Sequence, residues 1–142
     1  MGFPDDVDVR SFNLGMIYAF IEVVASGCKR LGLSPPMTAQ ELEEVRENAL
    51  EIAAEYGVAT MIDPEFLVSR LFNPAFTDGK EVMLFALDPA DLEEYMTLKG
   101  LRARSVTAGT LSEHEEQIAR RFGRLLSYSE EAIEGLLKKP RF

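Results

Sequence analysis

The sequence predicts a predominantly α-helical fold, a compact bundle of five to six helices around a central, apolar first helix. Three observations point there. Helix-start signatures recur at short intervals: Thr38 with Glu41, Asp63-Pro64, Asp88-Pro89, and Ser112 with Glu115. Between them, apolar residues repeat at three- and four-residue steps. Residues 12–24 are apolar on nearly every side, as a helix enclosed by its neighbours would be.

Taken in order, residues 1–10 read as a mobile polar arm before a single helical domain over 11–142. Ser11 caps a first helix running to about Leu31, with Gly32 as its stop. Gly15, Ala19, Glu22 and Ser26 make one narrow stripe of mostly small residues on it, a face another helix can approach closely. Ser34-Pro35-Pro36 breaks the chain. The Thr38–Glu41 capping box opens a second helix that closes near Gly57, with Leu42, Val45, Ala49, Ile52, Ala53 and Tyr56 facing a core. The two Asp-Pro pairs start short helices at about 64–72 and 89–99, the latter stopped by Gly100. Ser112 and Glu115 open a helix whose buried stripe is Ile118, Ala119, Phe122, Leu125 and Leu126. A last helix spans about 130–138, with Ala132, Ile133, Leu136 and Leu137 inward.

Segments 58–62, 82–87 and 103–107 are short and apolar or β-branched, so the alternative is an α+β fold with a small sheet. Over five or six residues, periodicity does not separate a buried strand from a buried helical turn. Segments 82–87 and 103–107, joined by helix 89–99, would then form a βαβ unit.

Composition narrows the function classes. The chain has 142 residues, one domain's length, with 46% hydrophobic residues and a net charge of −9. That charge argues against nucleic acid as a partner, because an acidic surface repels a polyanion. The longest apolar stretch, Leu14–Ala25, is interrupted by Glu22 and is too short to span a bilayer, so no membrane is expected. A single cysteine, Cys28, and a start without a basic, apolar leader suit the cytoplasm. The charge is also sorted. Residues 1–98 carry 18 acidic and 6 basic side chains, whereas residues 99–142 carry 6 acidic and 9 basic. Glu44, Glu47, Glu51 and Glu55 line one edge of the second helix, and Arg120, Arg121 and Arg124 line the helix after 112. These edges either face solvent or pair within a subunit or across a homo-oligomer.

Catalytic residue types are scarce. A di-iron centre needs Glu-x-x-His on two helices, and one histidine does not supply it, so neither metal nor cofactor is expected. Glu22, inside the first helix, either reaches solvent, pairs with a base such as Arg30, or acts as a buried acid. Cys28 sits beside Lys29 and Arg30, which favour a thiolate. His114, near a helix start, is disfavoured as a cation by the helix dipole. Segment 99–114 reads as a loop with three basic residues and no acid until Glu113. There Arg102, Arg104, Thr107, Gly109 and Thr110 are the candidate ligands for a small anion beside a helix N-terminus.

Two functions follow as expectations. One is a non-catalytic helical assembly or regulatory protein that self-associates through its first helix. The other is a small enzyme or sensor that binds a phosphorylated or carboxylated metabolite at 99–114, with His114 as the titrating partner.

Overall fold

A computed structural model describes residues 4–140. The fold is the α+β alternative rather than a pure helical bundle. Five helices flank a three-stranded antiparallel sheet: α1 (Val9–Ala25), β1 (Leu31–Leu33), α2 (Ala39–Glu55), β2 (Ala59–Asp63), β3 (Val82–Ala86), α3 (Pro89–Ala108), α4 (Leu111–Leu125) and α5 (Glu130–Lys138). A single 3₁₀ turn, Pro74–Phe76, interrupts the long connection from β2 to β3.

The strand order is β1-β3-β2. Leu31 stands opposite Ala86, and Ala59 opposite the same residue on the other side. All five residues of β3 are buried, because this central strand is covered on both faces. Its pleat divides them by the two-residue alternation of a strand. Val82, Leu84 and Ala86 join a core with Tyr95, Leu98, Ile118, Phe122 and Ile133 of α3, α4 and α5. Met83 and Phe85 join Ile17, Ile21, Val24, Val45 and Ala49 of α1 and α2. The molecule is thus a helix–sheet–helix sandwich with two cores sharing one strand.

Several expectations needed correction. The first helix ends at Ala25, because Ser26 and Gly27 (φ +83°) turn the chain and the Cys28 N–H returns to the Val23 carbonyl. Gly32 is not a helix stop but part of β1. A Cβ there would lie 2.8 Å from Val24 Cγ2, so glycine lets α1 press directly on the strand. Nor is α1 central. It buries one stripe, Asn13, Ile17, Ile21 and Val24, while Phe12, Tyr18, Ala19 and Glu22 are exposed. A sheet supplies the interior that a wrapped helix would otherwise have provided.

Segment 64–72 forms no helix. Asp63 belongs to β2 and gives its carboxylate to the Tyr95 and Lys99 side chains, and the segment after it bends and turns, with Phe66, Leu67 and Leu71 buried in the core shared with α3 and α4. Segment 103–107 is not a strand. The Asp88 cap starts α3 as expected, but the helix passes through Gly100 and stops at Gly109, whose φ of +71° suits glycine. Packing of α3 along α4 outweighs the weak local preference of Ser105-Val106-Thr107. The expected Ser112–Glu115 box does not form, since α4 begins two residues earlier than that cap requires, at Leu111 with Thr110 in the cap position. The Thr38–Glu41 box does form, and the last helix is capped by Ser129, which sequence reading did not single out. Of the arm expected over 1–10, residues 1–3 lie outside the described residues, while Val9 and Arg10 belong to α1. Arg10 donates to the Glu44 carbonyl and to Asn48 Oδ1, tying α1 to α2.

Among the described residues, no helix is long and apolar enough to cross a membrane.

Candidate functional site: an apolar cavity at the β1 edge

The residues singled out from sequence do not converge. Arg102, Arg104 and Thr107 ride on α3, not on a loop, and Gly109 and Thr110 form the turn into α4. Residues two apart on a helix leave it about 200° apart, so the Arg102 and Arg104 side chains depart on opposite sides. Arg104 folds back over Gly100, its Nη1 3.1 Å from where a Cβ would stand. His114 is half-buried in the first turn of α4. Cys28 is exposed near the other end of that helix, where Lys29 donates to the Leu126 carbonyl. Twelve helical residues separate these places by about 18 Å, so Cys28 and His114 do not meet. Glu22 is exposed and has no ion pair among the described residues, for Arg30 holds Asp91 at 2.7 Å instead.

The two charge stripes also stay apart. Arg121 pairs with Glu94 of α3, Arg120 with Glu116 and Glu134, and Arg124 with Glu130. Glu44, Glu47, Glu51 and Glu55 carry no ion pair among the described residues, and α2 presents them to water. No group of three His, Cys, Asp or Glu side chains suited to a metal occurs among the described residues.

Two buried polar positions outside these predictions shape the site. At the end of β2, the Asp63 carboxylate is 5% exposed and receives three donors. Tyr95 Oη and Lys99 Nζ each donate to Oδ2 at 2.7 Å, and the Glu65 N–H donates to Oδ1 at 2.8 Å. The Tyr95 hydroxyl in turn accepts the Leu67 N–H at 2.9 Å. Burial first, and the hydrogen bond to Asp63 second, push the Tyr95 phenol well above its ordinary pKa. Tyr95 and Lys99 are four apart on α3, so one helix face holds the start of the 64–81 connection. Phe66 stacks on Tyr95 at 5.8 Å between ring centroids, which completes the clamp.

The clamped segment forms one wall of a cavity of about 350 Å³. Phe66, Phe72 and Phe76 come from that wall, Phe12, Met16 and Phe20 from α1, and Leu33 and Val82 from the sheet. This volume lies within the range of small-molecule pockets, about 300–1,000 Å³. Four polar side chains that bear on its chemistry punctuate it: Asn13, Ser34, Glu41 and Lys80. Ser34 is saturated, since its hydroxyl donates to the Pro35 carbonyl and accepts the Met83 N–H. Glu41 is held by the capping box, accepting the Thr38 N–H at 2.8 Å. Asn13 is different. It is 3% exposed, yet its side-chain amide has no hydrogen-bond partner among the described residues. Lys80, half-buried, has no ion pair among them either.

Sequence reasoning missed this site because its residues span positions 12 to 128, and only the sheet brings them together. One signal was present: Asn13 occupies a position on α1 in register with Ile17 and Ile21. The chain matches no family model, no curated protein and no solved structure.

Proposed function

We propose that this chain is a non-catalytic binding protein that holds a small, mainly apolar molecule with one hydrogen-bonding group in the cavity at the β1 edge. The observation that carries this reading is the Asn13 amide. Leucine would be the ordinary residue at this position on the inward face of α1; the amide instead lines the cavity, where it offers a donor and an acceptor. A ligand hydroxyl, carbonyl or carboxylate facing Asn13 would take up those hydrogen-bonding positions in place of water. The aromatic wall supplies apolar contact. At about 30 Å³ per water-sized group, the volume takes roughly a dozen non-hydrogen atoms.

The test uses 1-octanol, which carries one hydroxyl on an apolar chain. Calorimetric titration should show saturable binding at one site, accompanied by thermal stabilisation. Met16→Trp, which fills the cavity, should abolish it, and Asn13→Leu should weaken it about tenfold. Octanol that fails to bind, or that binds both variants as well as the native chain, would refute the assignment.

Self-association through α1 is the second reading. Its support is that Gly15, Tyr18, Ala19, Glu22 and Ser26 form an exposed stripe, with open space where a Gly15 Cβ would stand. Sedimentation at micromolar concentration checks it: a dimer dispersed by Ala19→Arg supports the reading, and a monomer ends it.

A further inference from the structure

The geometry points to an anionic amphiphile, a carboxylate on a short apolar chain, as the ligand class of this cavity, with Lys80 holding its head. This rests on the cavity being a binding site and adds the charge of what enters it.

Lys80 is the only cationic side chain among the residues that line the cavity. The Lys80 side chain is half-buried, and its ammonium has no carboxylate within ion-pair distance among the described residues. Its position is fixed rather than incidental. The Lys80 N–H returns to the Thr77 carbonyl through a turn in which Gly79 takes φ +71°. The next residue, Glu81, exchanges both backbone hydrogen bonds with Met37. By its antiparallel register that bridge sets Lys80 opposite Thr38, with Pro35 and Pro36 on the same cavity lining.

Glu41 is the opposing charge on the lining. Its carboxylate is engaged by the Thr38 N–H and belongs to the capping box, so it is committed to the helix rather than to the cavity. Apart from the hydroxyl-bearing Thr77 and Tyr128, the remaining surface is aromatic and aliphatic, which suits a chain or ring behind the carboxylate. Charge-assisted hydrogen bonds are roughly twice as strong as neutral ones. The head group therefore decides which of several equally greasy molecules is retained.

The experiment titrates octanoate, 1-octanol and octylammonium into the native chain and into Lys80→Gln. All three are kept below their aggregation thresholds. Octanoate should bind the native chain about tenfold more tightly than octanol, and octylammonium more weakly than either. In Lys80→Gln the octanol affinity should hold while the octanoate preference disappears. Equal binding of octanoate and octanol by the native chain, a preference for octylammonium, or a preference for octanoate that survives Lys80→Gln would overturn the inference and leave the cavity reading standing. Failure of all three probes to bind would overturn both.

Discussion

At the β2 edge of the sheet, Asp63 is met by a phenol, an ammonium and a backbone N–H. At the β1 edge, the Asn13 amide lines the cavity and has no protein partner among the described residues. The harder group to bury, a carboxylate, has the fuller set of partners, and the easier one, a neutral amide, has none. Saturated polar groups hold structure in place, as Asp63 holds the segment running from 64 to 81. An unsaturated one pointed into a cavity leaves a bond for something else to make. The contrast teaches that burial alone does not mark a site: an unpartnered group bears on binding when it opens onto a cavity, as Asn13 does and the buried Thr60 hydroxyl does not.

The largest effect should come from breaking the saturated edge. Lys99→Met strips Asp63 of its cation and should cost about 3 kcal/mol of stability, read by urea unfolding. Pairing it with Asp63→Asn should recover part of that loss. A single-variant loss below about 1 kcal/mol would mean that the clamp is ornamental. Tyr95→Phe should cost about 2 kcal/mol, because it orphans the Leu67 N–H. It should also change the alkaline limb. The folded phenol titrates above its unfolded value of 10.0, so its contribution is intact below pH 10 and is lost as pH rises beyond that. The native chain should therefore lose stability above pH 10 more steeply than Tyr95→Phe.

The unsaturated edge should respond with the opposite sign. Asn13→Leu should stabilise the free protein by about 1 kcal/mol while weakening ligand binding, and destabilisation would place Asn13 among the structural residues. The smallest effect belongs to Thr60 of β2, whose buried hydroxyl oxygen has no hydrogen-bond partner. Thr60→Val should be neutral or stabilising by about 0.5 kcal/mol in the same unfolding assay.

Much of the helical framework was legible because its signals are local. Thr38 and Glu41 cap within one turn, and Asp88 receives the Ala90 N–H just past Pro89. Strands 59–63 and 82–86 were visible as short apolar runs, though not their antiparallel pairing. The third strand was placed wrongly, at 103–107 rather than 31–33. Leu31-Gly32-Leu33 is too short to carry a period, and a glycine inside it imitates a helix end. The cavity was not legible at all. Lys80 and Asn13 are 67 positions apart, and no local pattern announces that one strand and a clamped connection set them on the same cavity.

The central strand has a consequence for assembly. β3 is the last strand made, yet it is the partner of both others and carries the side chains that knit each core to the sheet. During synthesis, the first eighty residues therefore offer two strands that have nothing native to pair with. The sheet closes in a late, long-range step, the kind that slows folding. Until residue 86 has left the ribosome, the nascent chain holds two sticky ribbons awaiting a third, the interval in which a chaperone has the most to protect.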